Sequence, residues 1–168
     1  MNAEQVAPDL IEPVVGFRRW RLSGERLLSP FVDIPWDGEP IRARCLGDAP
    51  RVRHTGRHHS EPAPAPDCVC GIYSYFRPLS SWVQPWAEAG PVAGAVVLWG
   101  RIEVHETGMR AEWAKPVALA LMPASAGRRR QAIRRAAARI GVDAVPLSEL
   151  RAAALRYGRP LPSALRPA

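Results

Sequence analysis

Lysine is almost missing from this chain of 168 residues. Lys115 is the single lysine, so arginine supplies all but one of the 23 basic side chains. Together with abundant alanine, this usage is typical of a high-GC bacterial genome. The many arginines are therefore not in themselves a sign of function.

The sequence also lacks segments that would place it in or across a membrane. No apolar run approaches the roughly 18 to 20 residues that a membrane-spanning helix needs. The first residues include Glu4 and no basic cluster, so we do not expect a secretory signal. We therefore expect a cytoplasmic protein with reduced thiols and no membrane partner. A phosphate-binding glycine loop, a dinucleotide fingerprint and internal repeats are also missing.

Positive charge is unevenly distributed along the chain. The formal net charge is +7, yet residues 1–120 are almost neutral, whereas residues 121–168 hold ten arginines and two acidic residues. A basic C-terminal segment favours nucleic acid or another anionic partner. The alternative is an ordinary solvated arginine face in an arginine-rich proteome.

Alternating and β-branched segments predict a sheet-rich fold. Residues 92–100 are apolar on both faces, which is typical of a central strand. Residues 106–108 form a turn signal, so the flanking strands should pair as an antiparallel hairpin. Residues 70–76 fit either a strand or the first turn of a helix, and we favour the helix. Further predicted strands cover residues 14–22, 26–29, 41–45, 101–105, 109–114 and 117–121.

The C-terminal part changes to a helical pattern. Residues 128–140 carry one apolar stripe, with arginine elsewhere. Ser125 is the expected N-cap, and Gly141 is the residue expected to end the helix. An extended link follows, and then a short second helix over residues 149–157.

Cysteine is scarce, with three residues, and they are grouped with histidine. Cys45 lies before a long polar loop, and Cys68 and Cys70 lie after it. Zinc in structural sites takes four ligands, and three cysteines with one histidine is a common set. We predict Cys45, His59, Cys68 and Cys70 as ligands, which makes the site structural rather than catalytic.

The long loop between the cysteines bears on the metal prediction. His58 and His54 are alternatives to His59, since all three lie in the same loop. A loop of this length without secondary structure usually needs a contact that holds it in place, and a metal bound at its two ends would provide one. The alternative is three buried thiols without metal, because free cysteine is among the most buried residue types.

These patterns together predict a β-rich α+β fold. The sheet should be a curled antiparallel sheet or a small barrel with one structural zinc, followed by a C-terminal helical appendage. The predicted organisation is an extended lead-in over 1–13, a β-rich zinc-stapled domain over 14–122 and a basic helical appendage over 123–168.

Charged residues at the predicted hairpin form a second candidate site. His105 and Glu106 lie at the turn, and Arg110 and Glu112 lie on the returning strand. An imidazole, a guanidinium and two carboxylates have the chemistry for acid–base catalysis. The alternative is a solvent-facing hairpin with cross-strand ion pairs.

Tryptophan and arginine supply candidate binding residues. Six tryptophans is a high number for this length, and Trp36 and Trp82 lie beside prolines and turns, where they would line a groove. Aromatic rings beside arginine suit base stacking, although core filling explains the same rings. The arginines expected to contact an anionic partner are Arg128, Arg129, Arg130, Arg134 and Arg135.

Several motifs resemble those of a family of small uncharacterised bacterial proteins, largely actinobacterial, with a C-x-C-G-I-Y motif. The resemblance covers about residues 14–121 and implies that the motifs belong together; it assigns no activity and no catalytic residues. The motifs are Trp36-Asp37-Gly38, Ala43-Arg44-Cys45, Cys68-Val69-Cys70-Gly71-Ile72-Tyr73, Leu98-Trp99-Gly100 and the run from His105 to Glu112.

The sequence favours a zinc-stabilised, non-catalytic binding module, with nucleic acid as the first choice of partner. Two alternatives stay open. One is a small enzyme that uses the His105, Glu106, Arg110 and Glu112 hairpin, and the other is a small-molecule or peptide reader with an aromatic pocket.

Overall fold

A computed structural model describes residues 12–46, 62–78, 91–123 and 125–167. Strands dominate these ranges and helices are confined to the C-terminal part, so the fold is a β-rich α+β fold as predicted. Within the described ranges, every helix is too short or too polar to cross a membrane.

Short strands come first along the chain, two long strands follow, and helices alternate with short strands at the C-terminal end. The elements are β1 (Val14–Ser23), β2 (Arg26–Leu28), β3 (Pro35–Trp36), β4 (Ile41–Arg42), β5 (Ile72–Tyr75), β6 (Val92–Val104), β7 (Gly108–Leu121), α1 (Gly127–Arg139), β8 (Asp143–Pro146), α2 (Leu150–Ala154) and β9 (Arg159–Pro160), with single 3₁₀ turns at Leu147–Glu149 and Ser163–Leu165.

A long hairpin forms the centre of the sheet. β6 and β7 pair antiparallel around the predicted turn, and β6 also pairs with β1 over seven residues. β5 pairs with β7 on one side and meets β1 on the other, through Phe17 and Tyr75. The four strands β1, β6, β7 and β5 therefore pair in a closed cycle around an inner face.

The two faces of the sheet carry separate cores, because successive strand residues point in opposite directions. Trp20, Val96 and Leu98 belong to the inner core, where Ile133 and Ala136 of α1 join them. The opposite face carries a second core of strand residues together with α2 residues. The second core contains Val15, Phe17, Ala95, Val97, Leu150, Ala153 and Ala154.

The C-terminal segment is built into the same sheet. β8 pairs parallel with β7, and β9 pairs parallel with β1. β7, α1 and β8 thus form a strand–helix–strand crossover, which the sequence pattern did not suggest because β8 is only four residues long. The segment expected as an appendage, 123–168, supplies two strands and both helices.

Three local predictions were wrong. Residues 72–75 form a strand rather than a helix, because Ile72 and Ser74 point inward and the segment pairs with β7. The helix cap is Ala126, without a side-chain hydrogen bond, rather than Ser125. Pro116 does not end a strand, since it lies within β7 beside a register shift that tolerates its missing N–H.

Candidate metal centre

The structure brings the cysteines on either side of the long loop together. Cys45 follows the short strand β4, and Cys68 lies just before β5. The Sγ atoms of Cys45 and Cys68 are 3.8 Å apart, although 23 positions separate them in the sequence. All three cysteines are thiols rather than disulfides, and Cys68 and Cys70 are buried.

The separation of the two sulfurs has the size of a zinc-bound thiolate pair. Zn–S bonds of about 2.3 Å in a tetrahedron place two sulfurs about 3.8 Å apart. A disulfide would require about 2.0 Å. Two uncharged thiols in van der Waals contact would also lie near this distance, so the spacing is compatible with a metal without requiring one.

Cys70 approaches the pair through its backbone. Its N–H donates to Sγ of Cys68 over 3.4 Å. A donor on sulfur favours the thiolate over the thiol. The Cys70 thiol itself has a pKa raised to about 11, chiefly by burial and also by a hydrogen bond with Cys68. Without a metal, Cys70 is therefore protonated at neutral pH.

The segment before the cysteines is a buried loop. Ala63 is fully buried and Pro64 and Ala65 are almost so, although these residues form no strand. A buried loop leaves backbone carbonyls that need donors. Prolines reduce the number of buried N–H groups, but the carbonyl oxygens remain to be satisfied.

Arg110 donates to one carbonyl of this segment and to two carbonyls of the cysteine loop that follows it. It lies on β7 at 4% exposure, directly opposite Glu103 of β6. Its Nη1 donates to the carbonyl oxygens of Cys68 and Cys70, and its Nη2 donates to Ala65 O and to Glu103. Its Nε donates to Glu103 Oε2 over 2.7 Å. All five N–H donors of the guanidinium are used, which fixes the Cys68–Cys70 loop against the sheet.

Two further contacts determine the path of this loop. Arg101 Nη1 donates to Pro64 O over 3.1 Å. Gly71 has a φ of 130°, and a Cβ at this position would lie 3.0 Å from Cβ of Arg110. Only glycine combines that backbone angle with so close an approach. The glycine of the Cys-x-Cys-Gly motif therefore turns the chain from the cysteines into β5.

The predicted catalytic hairpin residues have different partners. Arg110 is buried with Glu103, whereas Glu112 pairs with Arg42 over 2.9 Å. His105 stacks on Tyr73 with ring centroids 6.4 Å apart, and Glu106 is exposed. The structure therefore does not gather the four side chains around one reacting position.

Tyr73 contacts the cysteine loop through its hydroxyl. Its hydroxyl donates to Val69 O over 2.8 Å. Burial raises the pKa of this phenol, against the opposing effect of Arg110. Tyr73 therefore stays neutral near pH 7 and acts as a further hydrogen-bond donor to the loop.

The histidines predicted as the fourth metal ligand fall outside the described residues. His54, His58 and His59 all lie there, so the structure says nothing about the histidine prediction. Among the residues the structure does describe, no group of three or more His, Cys, Asp or Glu side chains is arranged to hold a metal ion. The metal itself stays a prediction.

The predicted binding arginines all lie on α1. Arg128, Arg134 and Arg135 are exposed, and Arg129 and Arg130 are half-buried. Burial lowers the pKa of Arg129. Arg135 Nε lies 2.7 Å from Glu25 Oε1. The helix is 13 residues long and contains no acidic residue, so it carries unbroken positive charge.

Trp36, one of the two predicted binding tryptophans, does not lie on the surface of α1. Trp36 is 3% exposed, meets Trp20 edge-on at 5.5 Å and donates to Ser29 Oγ, so it fills the core rather than lining a groove. Trp82 lies outside the described residues. Trp99 and Trp113 stack at 6.2 Å, and Trp99 packs on the core opposite α1. A base stacked on these two rings would therefore not lie next to the arginines of α1.

Sequence reasoning missed Glu103, the buried partner of Arg110. It lies on the alternating half of β6, where a charged residue is expected to face water. Arg18 of β1 is a second charged residue that is buried although it lies on a strand. For Arg18 a signal existed, because it alternates in phase with Trp20 and Leu22 on the partly apolar side of the strand.

Comparison with known proteins adds nothing to this picture. No family model, no curated protein and no solved structure matches the chain.

Proposed function

We propose that this chain is a zinc-stabilised, non-catalytic binding domain that associates with nucleic acid. The observation that carries the proposal is the approach of Cys45 and Cys68 to 3.8 Å across the long loop. In the cytoplasm, where we place the protein, such thiol pairs more often serve metals than disulfides.

The proposed zinc ligands are Cys45, Cys68, Cys70 and His59. His58 and His54 are the alternatives for the nitrogen ligand. Four protein ligands close the coordination sphere, so the metal is structural and has no open position for a substrate. Arg110 supports the ligands from outside by holding the carbonyls of Cys68 and Cys70.

The proposed metal would link the chain after β4 to the chain before β5 in a small curled barrel. β4 and β5 both pair with β7, at Trp113 to Ala114 and at Gly108 to Ala111. Cys45 follows β4 and Cys68 precedes β5, so one ion would close the excursion between them. Closing a long loop removes entropy from the unfolded chain and thereby stabilises the fold.

Elemental analysis of the purified full chain tests the zinc proposal. We expect about one zinc per chain, and we expect a chelator to lower the thermal unfolding midpoint. His59→Ala, His58→Ala and His54→Ala identify the nitrogen ligand, since one of them should lose the metal. His105→Ala is the matched control, because His105 is exposed on the hairpin. A folded chain that contains no metal at full thiol reduction would contradict the proposal.

The nucleic-acid part of the proposal rests on α1. Arg128, Arg135 and Arg139 are spaced seven and four residues apart, so they share one side of the helix. The stripe extends over about 16 Å. Its opposite side is fixed to the inner core by Ile133, so the stripe is held on a rigid element. Exposed arginines in such a row suit contacts with successive phosphates.

Binding to a labelled nucleic-acid duplex at several salt concentrations tests this part. If each of the three arginines neutralises one phosphate, binding would weaken about fortyfold between roughly 50 and 200 mM salt. Arg128→Gln with Arg139→Gln should weaken binding and flatten the salt dependence. Arg26→Gln, an exposed arginine on β2, is the control. Binding that is absent or independent of salt would refute the association.

A further inference from the structure

Arg18 is a second buried arginine, on the inner face of β1. It is 8% exposed. Its guanidinium carbon lies 4.6 Å from the ring centroid of Trp36 and 5.7 Å from that of Trp20. Its Nη1 donates to Tyr73 O over 3.1 Å. Two aromatic rings and one carbonyl therefore surround a positive charge that is almost removed from water.

Among the residues that the structure describes, no carboxylate forms an ion pair with Arg18. Each ion pair among the described residues involves another basic side chain, and Nε of Arg18 is buried without a hydrogen-bond partner. Burial lowers the pKa of Arg18 to about 10, so the group is still charged at neutral pH. A buried charge without a counter-charge is costly, and cation–π contacts offset only part of that cost.

Within the described part of the chain, two more buried donors without hydrogen-bond partners lie on β1 and on the neighbouring strand β5. They are Nε1 of Trp20, at 0% exposure, and Oγ of Ser74, at 3%. Trp20 is two residues beyond Arg18 on the same side of β1. Ser74 follows Tyr73, whose carbonyl accepts from Arg18, and its Oγ lies 2.5 Å from where a Cβ on Gly16 would be. Gly16 and Arg18 share that side of β1 as well.

The chemistry of these three atoms specifies the kind of ligand. An arginine Nε–H and an indole N–H only donate, and a serine hydroxyl donates as readily as it accepts. A cation or a pure donor would leave the Nε–H of Arg18 and the indole N–H of Trp20 unsatisfied. An acceptor that also carries negative charge would satisfy the donors and compensate Arg18. Because Trp20 and Ser74 are almost fully enclosed, the ligand must be small.

We propose that Arg18, Trp20 and Ser74 form a binding site for a small oxyanion, a single phosphate or carboxylate group held on the inner face between β1 and β5. Trp36 closes the site against solvent by stacking on the guanidinium. The residues of this site differ from those of the proposed zinc site and from those of the arginine stripe of α1.

Thermal unfolding of the full chain in two anion series tests the proposal. One series raises the concentration of sodium phosphate and the other that of sodium acetate. Sodium chloride keeps the ionic strength constant in both series. A ligand that binds only the folded state raises the unfolding midpoint with its concentration. We expect such a rise in at least one series. A phosphate response identifies a phosphate site and an acetate response a carboxylate site.

Variants separate this site from general electrostatics. Arg18→Met should abolish the rise, and Ser74→Ala should shift the half-maximal anion concentration upward by about tenfold, the effect of one lost hydrogen bond to a charged group. Arg26→Met removes an exposed arginine from the neighbouring strand and should leave the response intact. If Arg18→Met does not fold, the shift in half-maximal anion concentration in Ser74→Ala tests the proposal instead. A midpoint that stays constant in both series, or an unchanged response in Ser74→Ala, overturns the proposal.

Discussion

Arg110 and Arg18 are both buried in the same curled sheet, and their surroundings differ in every respect. Arg110 uses all five donors, on one carboxylate and three carbonyls. Arg18 has one carbonyl, two indole rings and a buried Nε without a partner. Arg110 therefore has the surroundings of a structural arginine, and Arg18 has those of an arginine that needs a counter-ion.

The largest effect is expected from removing the compensated arginine. Arg110→Met leaves Glu103 buried without its partner and removes one hydrogen-bond donor from each of the carbonyls of Ala65, Cys68 and Cys70. Losing one partner of a buried pair costs about 3 to 5 kcal/mol in unfolding free energy. Urea denaturation measures that loss, and the same variant should release any bound zinc because the cysteine loop is no longer held.

Arg18→Met provides the control for this contrast. In a buffer without phosphate or carboxylate, removing an uncompensated charge should change the unfolding free energy by about 1 kcal/mol or less, or even raise it. The distinction between the two arginines fails if both substitutions cost the same. It also fails if Arg110→Met costs less than about 1 kcal/mol.

Patterns of side-chain alternation explain why part of this fold was predictable. The β6–β7 hairpin and β1 follow directly from apolar alternation and from turn residues, so the existence of these strands and the pairing of β6 with β7 were predicted. The cysteine group was predicted from composition and spacing. The closed cycle of β1, β6, β7 and β5 was not predicted, because it depends on β5, a four-residue strand whose sequence also fits a helix.

The roles of charged residues were less accessible from the sequence. Arg110 was predicted as a member of an acid–base group, since a charged residue on an alternating strand is expected to face solvent. Its actual position depends on the loop at Ala65 to Cys70, which packs over that face and buries it. Whether a strand face meets water or a loop is decided by the tertiary fold, and local alternation does not report it.

Gly71→Ala should produce the next largest loss. A side chain there combines a φ of 130° with a contact of 3.0 Å to Cβ of Arg110. Backbone strain of this kind costs about 1 to 3 kcal/mol. Gly24→Ala is the matched control, because Gly24 also has positive φ but open space around it. A loss no larger than that of Gly24→Ala would show that Arg110 does not restrict this turn.

Alkaline pH should weaken the metal-free protein through Cys70. Its pKa rises from an ordinary 9.0 to about 11 on folding, chiefly because it is buried. The folded state thus keeps a proton that the unfolded state releases. The contribution is fully present below about pH 9 and is lost as the pH rises toward 11. Urea unfolding of chelator-treated protein should follow this course, and Cys70→Ala should flatten it. If the unfolding free energy of Cys70→Ala falls with pH as steeply as that of the unmodified chain, the effect belongs to another group.

The smallest effect is expected from the exposed pair between Glu25 and Arg135. Both side chains are about half exposed, at 47% and 52%, whereas Glu103 and Arg110 are at 8% and 5%. Water and salt screen the exposed charges, so Glu25→Gln should cost about 0 to 1 kcal/mol. The loss should shrink further in about 1 M salt, and the loss in Arg110→Met should not, because a buried pair is poorly screened. If the two variants respond equally to salt, burial does not distinguish the arginines, and the contrast between Arg110 and Arg18 would then have to rest on hydrogen bonding alone.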